Sequence, residues 1–373
     1  MMMTKQSSSL FPRPCSCLML AFALIVALHA SCLEAFSPTL TAAGAIKTRQ
    51  YYSRPLFMAN SEEEKEEKQK APQYDKIMAR LQKAEPVAKG AVLLHIEAED
   101  GDAEWDYEPG HILALEIKGQ PKDETTHTYE DTMKNNGWMR GPYTVTSSPS
   151  NKELQVLLKL VGEKSQAFAD APKGTQIQVG GKFKVPIVEG IDAESTSQVI
   201  LLSTGVGVGP CVGAMEKVVK MLAAGEKFPP IHLVASFRTE EEVALADKLN
   251  QWQEEYPTQI SWTPVITSSA KGRVSSSVKH LQDCLTASPP TTKMDLNKTH
   301  FHLIGNGELV YEFQKGLAAA GVPDEKVTVE IYFGHQAKPK EETVETIAKA
   351  IQGMASTTVQ EEKTMEVSSS KSS

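Results

Sequence analysis

Residues 203–210 read Ser-Thr-Gly-Val-Gly-Val-Gly-Pro. An apolar run, Gln198-Val-Ile-Leu-Leu202, leads into this stretch, and Cys211-Val-Gly-Ala-Met-Glu-Lys-Val-Val-Lys-Met-Leu222 leads out of it with the spacing of a helix. A glycine-rich turn between strand and helix strips away side chains, so backbone N–H groups can approach an anion. The helix start adds partial positive charge there. The stretch therefore reads as a loop for the pyrophosphate of a dinucleotide.

Working outward toward the carboxyl terminus, strand-like and helix-like segments alternate. Strand Val199–Leu202 precedes helix Val212–Ala224, strand Ile231–Ser236 precedes helix Thr239–Glu255, and strand Ile260–Val265 precedes helix Val274–Cys284. Strand Phe301–Ile304 then precedes helix Leu309–Ala320, and strand Lys326–Ile331 closes the set. Such alternation predicts a parallel sheet with crossover helices, whose ligands bind beyond the carboxyl ends of the strands. The glycine turn lies at the end of the first of these strands.

Toward the amino terminus the pattern changes. Short apolar runs (Ala91–Glu97, Ile112–Ile117, Leu154–Leu160, Thr175–Val179) are separated by turn signals at Glu108-Pro-Gly110, Pro172-Lys-Gly174 and Gly180-Gly181. Many short strands at this spacing predict an antiparallel β-barrel. The expected organisation is a leader over 1–57, a charged linker over 58–73 and a barrel over 74–190. A Rossmann-like α/β domain over 191–335 follows, then a carboxyl-terminal helix and polar tail over 336–373. The polar segment between Lys118 and Arg140 reads as a surface insertion between two barrel strands.

The chain has 373 residues and a formal net charge of −8. Lys5, Arg13, Lys47, Arg49 and Arg54 oppose only Glu34 in the leader, which leaves −12 for the body. An acidic body without a basic stripe argues against nucleic acid as a partner. In the leader, an apolar core over 18–28 is followed by a Ser-, Thr- and Ala-rich basic stretch from Phe36. This resembles a signal peptide plus a transit peptide of the kind that delivers proteins to plastids wrapped in extra membranes. Only Cys211 and Cys284 lie in the body, without metal-ligand spacing. Cys211 reads as a small buried residue, and His95, His232, His300 and His302 lie in strand-like runs without ligand spacing.

Gly205, Gly207 and Pro210 resemble the T-G-x-G-x-x-P turn of the ferredoxin–NADP reductase-like flavoproteins. Five further stretches resemble that superfamily in the same order. They are Pro109-Gly110 with His111, Pro142-Tyr-Thr-Val-Thr-Ser-Ser-Pro149, Gly162-Glu-Lys-Ser165, Val234-Ala-Ser-Phe-Arg238, and Leu303-Ile-Gly-Asn-Gly-Glu-Leu-Val310 with Glu330-Ile-Tyr-Phe333. The resemblance spans roughly residues 74–335.

It implies FAD on the barrel, NADP or NAD on the α/β domain, and hydride transfer between them. The electrons would pass to an acceptor that is a small molecule or a plastid electron carrier. The implied catalytic residues are Tyr143, Thr144, Glu330 and Tyr332. Arg140, Tyr143, Thr144, Val145, Ser147, Gly162 and Ser165 would bind flavin. Thr204, Gly205, Gly207, Pro210, Arg238, Arg273 and Gly305 would bind nicotinamide nucleotide, with Arg238, Lys271 and Arg273 favouring NADPH. Two positions depart from the family pattern. Gly141 stands where an arginine is usual, a loss that a one-residue bulge would make good by restoring the reach of Arg140, and Ile304 stands at the usual strand-end cysteine. The departures also suit an alternative reading, a nucleotide-binding scaffold without turnover.

Overall fold

The computed structural model describes residues 76–100, 105–119, 124–125, 127–149, 152–183, 185–267, 294–332 and 338–356. The leader, the linker, Lys271, Arg273, the expected helix at 274–284, Phe333 and the polar tail lie outside the described residues.

Six antiparallel strands form the first sheet: β1 (Lys76–Ala88), β2 (Ala91–Ala98), β3 (Ile112–Lys118), β4 (Trp138–Thr144), β5 (Leu154–Lys159) and β6 (Gln176–Phe183). Their order is β4-β3-β6-β1-β2-β5. The sheet curls around Leu81, Leu94, Ile96, Leu113, Val156, Phe168 and Val179. It is barrel-like but not closed. The two edge strands approach through one bridge, Val145 to Val156, and through hydrogen bonds just past β4: the Thr146 N–H to the Gln155 carbonyl at 2.8 Å, and the Gln155 and Leu157 N–H groups to the Ser147 and Thr146 hydroxyls at 3.0 Å.

Two strands lie outside the apolar runs named from the sequence, β1 and the strand expected after the insertion, β4, and each has a reason. β1 runs Lys-Ile-Met-Ala-Arg-Leu-Gln-Lys-Ala-Glu-Pro-Val-Ala, too polar for an apolar run, and register shifts at Leu81/Lys83 and Pro86/Ala88 break its alternation. β4 carries Gly141-Pro142, residues that argue against a strand interior, and it is tolerated as an edge. Between β3 and β4 the polar insertion holds one helix, α1 (His127–Lys134). β5 is followed by α2 (Gly162–Asp170).

The second sheet is parallel: β7 (Gln198–Thr204), β8 (Ile231–Phe237), β9 (Ile260–Ile266), β10 (Thr299–Asn306) and β11 (Val327–Tyr332), in the order β11-β10-β7-β8-β9. All seven residues of β8 are buried, as expected of a central strand covered on both faces. Helices α3 (Val208–Ala223) and α4 (Ala246–Glu255) cover one face through Val212, Met215, Leu249 and Trp252. Helices α5 (Gly307–Ala320) and α6 (Glu341–Ser356) cover the other through Val310, Phe313, Ile347 and Ile351. The helix expected from Thr239 begins only at Ala246. Residues Glu240–Glu242 form a single 3-10 turn, and Leu245 takes a left-handed conformation with φ of 61°.

Candidate functional site

β7 and β10 are neighbours, yet the next strands lie on opposite sides of them. This is the switch point of the sheet, where a crevice opens beyond the carboxyl ends. Thr204 and Gly305 face each other there. Gly305 has φ of +123°, and a Cβ on it would stand 2.2 Å from Thr204 Oγ1. That oxygen instead accepts the Asn306 N–H at 2.8 Å, and Asn306 Oδ1 caps α5 by accepting the Glu308 N–H at 2.9 Å. Gly205 has φ of +53° and starts the 3-10 turn Gly205–Gly207. Pro210 is buried in the first turn of α3, where its missing N–H leaves no bond unmade.

The glycines of the quoted stretch divide their work. A Cβ on Gly207 would stand 3.2 Å from the Ile304 carbonyl oxygen, within the turn. A Cβ on Gly209 would stand 2.7 Å from Thr146 Oγ1, and one on Gly213 would stand 2.3 Å from the Thr146 carbonyl oxygen. One face of α3 thus lies close against the chain that leaves β4, backbone to backbone at Gly213 and against the Thr146 hydroxyl and the Leu157 side chain at Gly209. The Gly-x-x-x-Gly spacing at 209–213 was the available signal, and the motif reading passed over it. Lys217, one turn further on, pairs with Glu108 at 2.7 Å.

That contact brings three expected residues together. Thr144, at the end of β4, donates its hydroxyl to Glu330 Oε1 of β11 at 2.5 Å. Glu330 is 5% exposed. Burial pushes its carboxyl up to about 8, against a smaller lowering by the hydrogen bonds of Thr144 and Tyr332. At neutral pH the carboxyl therefore keeps its proton. Its Oε2 has no hydrogen-bond partner among the described residues. Burial and the neighbouring Glu330 raise the Tyr332 phenol well above its ordinary range. Ile304, opposite Glu330 in the register, puts an aliphatic wall beside the pair. Cys211 from α3 is fully buried, and burial, then Glu330, raises its thiol, so it is not an activated thiolate.

The remaining residues surround β4. Tyr143 meets Phe168 of α2 edge to face, with ring centroids 5.6 Å apart, and its phenol is pushed up to about 12 by burial. Its ring folds over Gly141, where a Cβ would stand 2.8 Å from ring carbon Cε2. The β3–β4 register runs from Ile112↔Thr144 to Lys118↔Trp138 without a shift. The bulge expected for Arg140 is therefore absent, because the β3 partners keep every residue in phase. Arg140 pairs instead with the buried Glu116, its cross-strand neighbour, at 3.5 Å. The Val145 N–H donates to the His111 carbonyl at 3.0 Å, and Ser147 Oγ accepts the Gln155 N–H at 3.0 Å. Ser165 is buried, with its hydroxyl accepting the Val161 N–H at 2.8 Å, while Gly162 opens α2 onto free space. Arg238 is exposed at the end of β8, and its N–H donates to Glu242 Oε2 at 3.2 Å.

A groove of about 420 Å³ opens between α1, β3 and β4, lined by Arg140, Gly141, Pro142, Lys164, Asp131 and Asn135 among others. Lys164 on its wall is a cation the sequence reading did not single out. The arrangement offers a groove whose two cations, Arg140 and Lys164, are paired with Glu116 and Asp131, a buried carboxylic acid hydrogen-bonded to a hydroxyl, and an open helix start beside a sheet switch point. Among the described residues no three His, Cys, Asp or Glu side chains stand close enough to hold a metal ion. No helix of the described residues is long and apolar enough to cross a membrane.

Residues 201–315 match the family of oxidoreductase NAD-binding domains. No curated protein matches the chain by sequence. Among solved structures, the chain is similar to a ferredoxin–NADP+ reductase from Neisseria gonorrhoeae with bound FAD and NADP. That likeness has 17% identity and a TM-score of 0.53, and covers 69% of this chain and 99% of the other. It is also similar to the ferredoxin–NADP+ reductase of Plasmodium falciparum (15% identity, TM-score 0.52, 69% and 96% covered). A third likeness is to the FAD/NAD-binding domain of a nitric oxide dioxygenase from Vibrio cholerae (13% identity, TM-score 0.50, 69% and 98% covered).

Proposed function

We propose, starting from a chain that carries the two-domain fold of the ferredoxin–NADP reductase-like flavoproteins, that it is an FAD-dependent oxidoreductase using NAD(P)H. The observation that carries this is the Thr144–Glu330 hydrogen bond. It joins the barrel-like sheet to the parallel sheet within reach of the nucleotide turn. FAD, when bound, supplies the hydride-accepting chemistry. The chain's residues fit it in three respects: the groove that Arg140 and Lys164 line, the open start of α2 at Gly162, and the buried Glu330 Oε2 without a hydrogen-bond partner among the described residues.

In this reading Lys164 and the start of α2 hold the flavin diphosphate, and Arg140 on the groove wall joins them by turning away from Glu116. The Tyr143 ring, steadied by Phe168, sets the position of the flavin ring. The turn Thr204–Gly207 and the start of α3 hold the diphosphate of the nicotinamide nucleotide. Arg238 and Arg273 favour a 2′-phosphate and so NADPH. Thr144 donates its hydroxyl hydrogen to Glu330 Oε1, and the carboxyl's own proton is the one passed as the electrons leave. The acceptor is a small molecule or a plastid electron carrier. The leader's composition supports delivery to a plastid, tested by fusing residues 1–57 to a fluorescent protein and locating it.

The purified protein tests the enzyme reading. Flavin absorption bands that bleach on anaerobic addition of NADPH support it, and acid release of the cofactor distinguishes FAD from FMN. Gly141 beneath the Tyr143 ring and Arg140 held by Glu116 favour a second reading, a nucleotide-binding scaffold without turnover. A folded, colourless protein that stays colourless with added FAD decides for the scaffold.

A further inference from the structure

Two histidines that the sequence leaves without a role meet on one hydroxyl. His302 of β10 and Thr328 of β11 are register partners, and Ile304 and Glu330 are the next pair on that face. The Thr328 hydroxyl lies 2.8 Å from His302 Nδ1 and 3.3 Å from His300 Nε2. His302 is fully buried and His300 is 9% exposed. Two buried polar atoms on this face have no hydrogen-bond partner among the described residues, His302 Nε2 and Glu330 Oε2. A buried polar atom left unpaired costs about 1–3 kcal/mol, so two of them on adjacent strands need a reason.

We propose that His300, Thr328 and His302 form a buried proton line. It joins the Glu330 carboxyl to the amino-terminal edge of the parallel sheet, with one bridging water between His302 Nε2 and Glu330 Oε2. The chemistry follows from counting protons. A hydroxyl carries one hydrogen, and the Phe301 carbonyl at 3.4 Å is its third and longest contact, so in the proposed line Thr328 turns that hydrogen to one histidine while accepting from the other. In one arrangement His302 Nδ1–H donates to Thr328, which donates to His300 Nε2, and His300 carries its hydrogen on Nδ1. A proton leaving Glu330 binds His302 Nε2, the Nδ1 proton moves to Thr328, and the Thr328 proton moves to His300 Nε2. His300 then releases its Nδ1 proton at the edge. One proton enters, one leaves, and the line is left in its mirror arrangement.

Burial holds both imidazoles below their ordinary range, His300 at about 4 and His302 at about 3, so both rings are neutral, and each gives up one proton as it takes the other rather than resting as an imidazolium. The charged and titratable groups facing the line are Lys326 at the His300 end, and Tyr332 and Cys211 around Glu330. The inference rests on the proposed function only in giving Glu330 a proton to move.

The test uses the full chain with 15N-labelled histidine and 13C-labelled glutamate, without flavin. In the wild type, titration of the Glu330 carboxyl shifts the ring nitrogens of both His302 and His300 at the same midpoint. Thr328→Val removes the hydroxyl and loses the His300 response, Thr328→Ser keeps it, and Glu330→Gln abolishes both. Fixed tautomers for both histidines through the Glu330 titration overturn the proposal, as does a His300 response surviving in Thr328→Val. Should Thr328→Val not fold, the Ser and Gln variants carry the same decision. None of these readouts needs a bound cofactor, so a colourless protein removes the enzyme reading without touching this result.

Discussion

Glu330→Gln exchanges a buried acid for a neutral isostere that still accepts the Thr144 hydroxyl. In the folded protein the carboxyl titrates at about 8, against an ordinary 4.5. The folded state therefore binds this proton more tightly than the unfolded chain does. The stabilisation is full below pH 4.5 and is lost as pH rises through 8. At about 1.4 kcal/mol per unit, the wild type loses up to about 5 kcal/mol relative to the Gln variant across that window. The assay is urea unfolding followed by fluorescence of Trp105, Trp138, Trp252 and Trp262, at half-unit steps from pH 5 to pH 9. The difference between wild type and Glu330→Gln should change by about 1.4 kcal/mol per pH unit up to pH 8 and then level off. A difference that stays flat from pH 5 to pH 8 would mean that Glu330 ionises as an ordinary surface carboxyl, and the proton-holding role of the Thr144–Glu330 pair would fall with it.

Other perturbations separate the parts of the site. Gly213→Ala drives a methyl against the Thr146 carbonyl, and overpacking of this kind costs about 1–3 kcal/mol even though alanine suits a helix better. An unchanged unfolding midpoint in urea would refute the close approach of α3 to β4. Gly141→Ala pushes the Tyr143 ring off Phe168, losing a contact worth roughly 0.5–1.5 kcal/mol. The measurement is the ring-proton shifts of both aromatics by NMR, and unmoved shifts would count against the packing. Gly305→Ala meets both a strained φ and Thr204 Oγ1, at a cost of about 1–3 kcal/mol for the backbone alone. It should abolish thermal protection by NADPH, and undiminished protection would place the nucleotide elsewhere.

The parallel domain was legible because its strands are buried on both faces and read as unbroken apolar runs, β8 above all. The turn at 203–210 was legible because only glycine permits its left-handed start and its approach to β10. The barrel-like sheet was half legible. β1 is mostly half-buried, with only Ala79 and Leu81 fully covered, and twice shifted in register, and β4 is an edge that tolerates Gly141-Pro142, so neither carries a sustained alternating pattern. Thr144, Glu330 and Tyr332 were found by motif, but their convergence depends on contacts 186 residues apart, beyond any local signal. Arg140 shows the opposite limit. Its distance along the chain suggested a bulge, and only the pairing with β3 determines that none forms. The histidines at 300 and 302 gave no ligand spacing, because their shared partner sits on another strand.

At Gly213 the bare backbone of α3 meets the Thr146 carbonyl at the exit of β4, while one turn earlier Gly209 rests on the Thr146 hydroxyl and the Leu157 side chain. Soft layers absorb small displacements, whereas bare backbone in contact transmits them. A nucleotide that tugs the start of α3 by a few tenths of an ångström should therefore shift Thr144, two residues from the contact, by a similar amount. Occupancy at the glycine turn would in this way be felt at the Glu330 carboxyl without any hinge.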